Sequence, residues 1–205
     1  MKKYIIFDFD GTIADTFHIL EEIGKEYARK YSINITPKEA KEYGLKKTLL
    51  KSKFPIWKIP KILPEVRKKI ALGLKTDVRL FPGIKEILIK LSKNYYLGIL
   101  STNSKQNIMQ FLKKYNLYRF FRFVYSDSSI FGKHFVLKRL CKKYSISYKN
   151  IIYIGDEDRD IEAAKKLCIK IIAVSWGYNS KKLLKKYNPD YLVDNPKQIL
   201  KILNY

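Results

Sequence analysis

The stretch Tyr4-Ile5-Ile6-Phe7-Asp8-Phe9-Asp10-Gly11-Thr12 runs an apolar strand straight into two carboxylates. Asp is depleted from strand interiors, and like charges at i and i+2 repel. A side-chain period of two puts Asp8 and Asp10 on the same side of such a strand. The pair is tolerable where a cation or a reacting phosphoryl group lies between the carboxylates. The other reading is a polar turn closing a buried strand, and the short pattern alone leaves both open.

Working outward, short apolar runs alternate with segments of helical periodicity, which predicts an α/β protein with a mainly parallel sheet. The expected strands are Tyr4–Phe9, Tyr96–Ser101, Phe123–Tyr125, Ile151–Gly155, Ile169–Ser175 and Tyr191–Val193. Between them, Ile84, Ile87, Leu88 and Leu91 recur at helical spacing, as do Ile108, Phe111, Leu112 and Tyr115, and Leu137, Leu140, Cys141 and Tyr144. These are core-facing helix stripes. The alternation breaks between Asp15 and Leu80, where no strand is expected. Helical segments there are punctuated at Pro37, Gly44, Pro55, Pro60 and Pro64, and the first carries Leu20, Ile23, Tyr27 and Tyr31 on one side. An insert of that length exceeds what a crossover connection needs and suggests a lid over the strand end. Phe81-Pro82-Gly83 reopens the α/β pattern.

Ligands of open parallel sheets bind outside the carboxyl ends of the strands. Besides Asp8 and Asp10, three more exits carry polar residues. Ser101-Thr102-Asn103-Ser104 leads into a helix and suits either a simple N-cap or an anion site. Phe131-Gly132-Lys133-His134 places a lysine at a helix start, where the dipole disfavours it. Gly155-Asp156-Glu157-Asp158-Arg159-Asp160 packs four acids into five positions. Asp158 and Asp160 suit a helix N-terminus, which leaves Asp156 unexplained. Hard oxygen ligands of this kind suit Mg²⁺.

The combination resembles the haloacid dehalogenase-like hydrolases, which are mostly Mg²⁺-dependent phosphatases. Asp8-Phe9-Asp10-Gly11-Thr12 is similar to the family's first motif, Ser101-Thr102-Asn103 to its second, Lys133 to its third and Gly155-Asp156 with Asp160 to its fourth. Ala173-Val174-Ser175-Trp176-Gly177 is similar to the segment after the next strand, and the match covers nearly the whole chain. The resemblance implies a Rossmann-like core of residues 1–14 and 81–205 with helices on both faces, and a small helical C1 cap at 15–80. It implies that Asp8 is the nucleophile, forming an aspartyl-phosphate, and that Asp10 is the general acid and base. Mg²⁺ would be held by Asp8, the Asp10 carbonyl and Asp156, with Asp160 as a further ligand. Thr102, the Asn103 N–H and Lys133 would bind the phosphoryl group. An acid at Asp10 favours phosphomonoester hydrolysis over dehalogenation, so the reading is a phosphoglycolate phosphatase-like enzyme acting on a small phosphorylated metabolite. Its alternatives are a nucleotide or nucleic-acid-end phosphatase, a phosphomutase, and a regulatory protein on the same scaffold. Two departures stand out. His134 follows Lys133 where Pro is common, leaving Lys105 or Lys138 as substitutes for the third-motif charge, and Glu157 replaces a small hydroxyl residue.

The remaining composition narrows partners. The chain has 205 residues and a net charge of +23, carried by Lys far more than Arg and spread along every helical segment. That pattern reads as a solvated surface more than a nucleic-acid face, since Lys lacks the bidentate fork of Arg. No apolar run approaches the ~18 residues of a membrane span, and the start is too short for a signal peptide, so a cytoplasmic location is expected. Cys141 and Cys168 have no paired spacing and read as small core residues.

Overall fold

A computed structural model describes residues 2–33, 36–52, 54–76, 78–127, 129 and 132–204. Phe131 of the third motif lies outside the described residues. Strands β1 (Tyr4–Phe7), β2 (Tyr96–Ser101), β3 (Phe121–Ser126), β4 (Ile151–Gly155), β5 (Lys170–Val174) and β6 (Tyr191–Val193) form one parallel sheet in the order β3-β2-β1-β4-β5-β6. The strand order reverses at β1, so the crevice for a ligand lies at the carboxyl ends of β1 and its neighbour β4. Alternation along the strands divides the core. Ile5, Phe7, Ile152 and Ile154 point to one face, and Ile6, Leu100, Tyr153 and Ala173 to the other.

Helices α5 (Ile84–Asn94), α6 (Lys105–Lys114) and α10 (Pro196–Ile202) cover the first face through Leu88, Phe111 and Ile199. Helices α7 (Lys133–Tyr144), α8 (Asp158–Lys166) and α9 (Lys181–Lys186) cover the second through Leu137, Ile161 and Leu184. Among the described residues no helix is long and apolar enough to cross a membrane.

The stretch after β1 holds α1 (Phe17–Lys30), α2 (Pro37–Tyr43), α3 (Leu45–Lys51) and α4 (Ile59–Thr76). Its two ends are stitched together: Asp15 N–H donates to Arg79 O at 2.9 Å and Phe81 N–H to Ile13 O at 3.2 Å. Pro37 opens α2 behind the N-cap Thr36, whose hydroxyl accepts from Glu39 N–H. Pro60 and Pro64 do not interrupt the chain as the sequence suggested, because both fall within α4. Pro60 occupies the first turn, where a missing N–H costs nothing, and Pro64 forgoes a single bond to the carbonyl four residues back.

Two further corrections concern local geometry. β1 stops at Phe7 rather than Phe9, because the Phe9 carbonyl accepts from Ile13 N–H at 2.9 Å and Ala14 N–H at 3.0 Å in a tight turn. Gly11 supplies the positive φ of 75° that the turn requires. Cys141 is buried as expected, but Cys168 is exposed. It follows α8 in the left-handed conformation at φ 53°, a helix-ending position whose side chain turns outward rather than continuing the apolar stripe.

Candidate active site

Asp8 leaves β1 with its backbone still paired to β4, its N–H donating to Ile154 O at 2.8 Å. That continuation holds the carboxyl at the crevice between the two strands. Its Oδ1 accepts from Phe9 N–H at 2.8 Å and its Oδ2 from Lys133 Nζ at 2.8 Å. Lys133 opens α7 behind Gly132, buried, and also donates to Asp160 Oδ1. The lysine that the helix dipole disfavours is therefore held by two carboxylates. Lys105 and Lys138 are exposed, whereas Lys133 reaches both Asp8 and Asp160.

Asp160 serves two purposes. It is the third residue of α8, where its Oδ2 accepts from Glu157 N–H at 3.0 Å, and its other oxygen reaches the lysine. Asp156 sits at the exit of β4, fully buried, with Oδ1 accepting from Thr12 Oγ1 at 2.7 Å and Oδ2 from Tyr178 N–H at 2.7 Å. One oxygen from each of Asp8, Asp156 and Asp160 falls within 4.8 Å of the others. Asp160 Oδ1 accepts a second time, from the Tyr153 hydroxyl at 3.5 Å, while the other carboxylate oxygens keep a second lone pair beyond the hydrogen bonds named. A set of hard oxygen donors at that spacing fits a divalent cation. Gly11 and Gly177 make the close packing possible, since a Cβ on either would lie 2.2 Å or 2.4 Å from Asp156 Oδ2.

Asp10, half-buried, faces the exit of β2. Its Oδ1 accepts from Asn103 Nδ2 at 3.2 Å and its Oδ2 from Ser101 Oγ at 3.4 Å. The Asn103 N–H, which the resemblance assigned to a phosphoryl group, donates to Ser101 Oγ at 3.0 Å here. Ser104 caps α6 by accepting from Asn107 N–H. Thr102 is half-buried between these residues, with its carbonyl directed to the insert.

Burial governs the electrostatics. It raises Asp8 to about 6 against the opposing pull of Lys133, with Asp160 adding to the rise. Burial and then the Asp8 charge raise Asp10 to about 6, opposed by the bond from Asn103. Burial and the neighbouring acids push Asp156 well above the usual carboxylate range. Burial would depress Lys133, but the charges of Asp160 and Asp8 hold it well above its ordinary value. A buried ammonium and clustered carboxylates with displaced protons mark a site built for charge, not a structural turn.

Several contributors were not read from the sequence. Tyr178 enters through its backbone, and Asn179 Oδ1 accepts from Asp158 N–H at 2.7 Å, fixing the start of α8. Their signal was the segment ending in Gly177, where the reading stopped one residue short. Glu157, the second departure, turns to Arg159 at 2.5 Å and lies outside the carboxylate triad. The insert docks on both sides of the crevice. Arg67 of α4 donates from Nε and Nη2 to Thr102 O at 3.1 Å and 2.5 Å. Across the site, Ser180 N–H donates to Lys41 O at 2.9 Å, and Gly44 approaches Asp158 so closely that a Cβ would lie 2.3 Å from its Oδ2. Lys41 and Gly44, which matched no signature in the sequence, are docking residues.

Comparison with known proteins agrees with this geometry. The family model for haloacid dehalogenase-like hydrolases matches residues 5–174. A phosphoglycolate phosphatase from Synechococcus elongatus is 30% identical over 96% of this chain and 94% of its own. A pyrophosphatase from Oceanobacillus iheyensis is 24% identical over 98% and 96%. A haloacid dehalogenase-like hydrolase from Streptococcus pneumoniae superposes with a TM-score of 0.78 over 98% of each chain at 22% identity, which shows the shared fold. With its motifs converging at the β1–β4 crevice and the family match running from β1 through β5, this chain belongs to the haloacid dehalogenase-like hydrolases.

Proposed function

We propose that this chain is a cytoplasmic, Mg²⁺-dependent phosphomonoesterase acting on a small phosphorylated metabolite, with residues 1–14 and 81–205 as the catalytic core and 15–80 as its cap. One observation carries the reading: Asp8 is gripped by Lys133 and shares its oxygen cluster with Asp156 and Asp160, while Asp10 stands beside it on a separate set of bonds. Asp8 attacks phosphorus, the ester P–O bond breaks, and the proton of Asp10 goes to the departing alkoxide. Water then attacks the aspartyl-phosphate, giving its proton to Asp10 as the bond to Asp8 breaks and phosphate is released. An acid raised to about 6 can hold that proton near neutral pH and take it back. Asp8, Asp156, the Asp10 carbonyl and Asp160 would hold the Mg²⁺, which supplies charge neutralisation on the transferring oxygens. Lys133 adds fixed positive charge in a water-poor site, and Thr102 orients the phosphoryl group.

The named activity of the Synechococcus relative makes 2-phosphoglycolate the first substrate to try. A cap seated across the crevice suits compact esters over polymers. DNA binding driven by the +23 net charge should be weak and steeply dependent on salt. The reading is tested by Mg²⁺-dependent phosphate release from p-nitrophenyl phosphate and a panel of phosphorylated metabolites. Full activity in Asp8→Asn would sink the aspartyl-phosphate mechanism.

A further inference from the structure

Tyr153 lies in the middle of β4 and is fully buried, with Ile152 and Ile154 on either side. Its register partners are Ile6 on β1 and Ile171 on β5, and its ring stands in the apolar core that α7 and α8 cover. A phenylalanine would fill that space with no polar atom to satisfy. A phenol oxygen withdrawn from water carries a cost unless it finds a partner. The partner is Asp160. Tyr153 and Gly155, two residues apart, face the same side of β4. The missing side chain of Gly155 leaves the strand open to the Asp160 carboxyl, since a Cβ there would lie 2.4 Å from its Oδ2. The other oxygen, Oδ1, accepts from the Tyr153 hydroxyl at 3.5 Å.

The same ring supports Lys133, whose Nζ stands 5.4 Å from its centroid, within the range over which a cation is drawn to an aromatic face. A lysine carries its charge on a flexible four-carbon stem, so it acts as a fixed charge only where something holds it. Three groups hold this one: Asp8 Oδ2 at 2.8 Å, Asp160 Oδ1 and the Tyr153 ring. In the reaction proposed above, one Asp8 oxygen becomes bonded to phosphorus and the carboxylate charge is lost. Asp160 and Tyr153 undergo no such change, which leaves them to keep the ammonium in place through the second step. We propose that Tyr153 is a positioning residue for Lys133, its ring supporting the ammonium and its hydroxyl fixing the Asp160 oxygen to which that ammonium is bonded. The inference rests on the phosphatase reading, in which Lys133 neutralises charge on the transferring oxygens. Being fully buried, Tyr153 has no surface on the crevice and acts only through these two side chains.

Tyr153→Phe removes the hydroxyl and keeps the ring, so the core stays filled. With p-nitrophenyl phosphate and saturating Mg²⁺, kcat in that variant should fall roughly tenfold, the effect of losing one hydrogen bond to a charged group. Lys133→Met keeps the stem and removes the charge. In that background Tyr153→Phe should alter kcat by less than about twofold, because the group it positions is gone. A second readout needs no turnover. A buried ammonium held by its neighbours exchanges its protons slowly enough to give a ¹⁵N NMR signal. The signal that vanishes in Lys133→Met should broaden in Tyr153→Phe. Wild-type kcat in Tyr153→Phe, a lower melting temperature with kcat unchanged, equal losses with and without the lysine charge, or an unaltered ammonium signal would each overturn the inference while leaving the phosphatase reading in place. Hydrolysis of no phosphate ester by the wild type would instead remove the phosphatase reading, and with it any part for Tyr153 in the reaction.

Discussion

Lys133 Nζ stands 2.8 Å from Asp8 Oδ2 and also bonds Asp160 Oδ1, so a single buried ammonium joins the exit of β1 to the first turn of α8. Removing one partner of a buried ion pair leaves an uncompensated charge, a loss of ~3–5 kcal/mol in other proteins. Lys133→Ala should therefore lower the melting temperature as well as kcat, the latter by roughly 10²–10³-fold, the usual effect of deleting a preorganised charge. Lys105→Ala and Lys138→Ala, both at exposed positions, should leave both quantities near wild type. Thermal melts and steady-state kinetics on the three variants decide the matter, and a catalytic loss at Lys105 or Lys138 instead would reassign the third motif.

Asp10 is held apart from the carboxylate triad by Asn103 and Ser101, an arrangement suited to proton transfer rather than metal binding by its side chain. General acid catalysis contributes on the order of 10²–10⁴-fold. Asp10→Asn should lose most of that factor with alkyl phosphates, whose alkoxide must be protonated to leave. With p-nitrophenyl phosphate the loss in the first step should be smaller, because p-nitrophenolate departs without a proton. Equal losses on the two substrate types would show that Asp10 does not protonate the leaving group.

Much of this site was legible because motifs at strand exits are local. Asp8, Asp156 and Lys133 each sit at the boundary of an element that short-range patterning defines, and the topology alone brings the boundaries together. The strands Tyr96–Ser101, Ile151–Gly155 and Tyr191–Val193 match their expected bounds because polar or turn residues close each run. Features decided by contacts distant in sequence were not legible. Pro64 reads as a breaker until α4 is packed on α1 through Ile70 and Ile19. Cys168 reads as core until the helix is seen to end two residues earlier, at Lys166. Arg67 is one cation among many until its partner, a carbonyl 35 residues away, is known.

The raised carboxylates give a pH signature for metal binding. Asp8 and Asp10 titrate near 6 in the folded, metal-free protein against an ordinary value of 3.8, so between those values the folded state holds protons that the unfolded state has lost. Their contribution to stability is full below 3.8 and falls as pH rises through 6. A bound cation favours the ionised carboxylates and reverses that trend. The rise in melting temperature on adding Mg²⁺ should thus be small near pH 5 and large near pH 7.5. Melts with Mg²⁺ and with EDTA across that range test it, and a shift independent of pH would mean that the cation binds elsewhere.

Gly177 shows how little room the centre has. A Cβ there would lie 2.4 Å from Asp156 Oδ2 and equally close to Gly11 O, one atom of the carboxylate triad and one of backbone. Backbone cannot swing aside, so Gly177→Ala must displace Asp156. Mg²⁺ affinity, read by titration of activity or of melting temperature, should fall by roughly 10–100-fold, the range seen when groups around metal ligands are disturbed. Unchanged affinity would show that Asp156 is not a ligand.

Arg67 ties α4 to the surroundings of Asp10. Its guanidinium holds Thr102 O, and its own carbonyl accepts from Asn107 Nδ2 at 3.2 Å. The same amide reaches Asn103 Oδ1 at 3.0 Å, and Asn103 Nδ2 completes the chain to Asp10 at 3.2 Å. Hydrogen bonds to charged groups contribute ~1.5–3 kcal/mol, so Arg67→Ala should cost roughly tenfold or more in kcat/KM. Arg67→Lys should restore little, since an ammonium lacks the fork that places two donors on one oxygen. The chain also specifies how the effect arises. If Arg67 acts by positioning Asp10, its removal should add almost nothing in an Asp10→Asn background, because the group it positions is already gone. If it acts only by keeping the cap seated, the two losses should multiply. A double-mutant cycle on an alkyl phosphate separates the alternatives, and the guanidinium's hold on Thr102 O, next in the chain to Asn103 and its bond to Asp10, predicts the first.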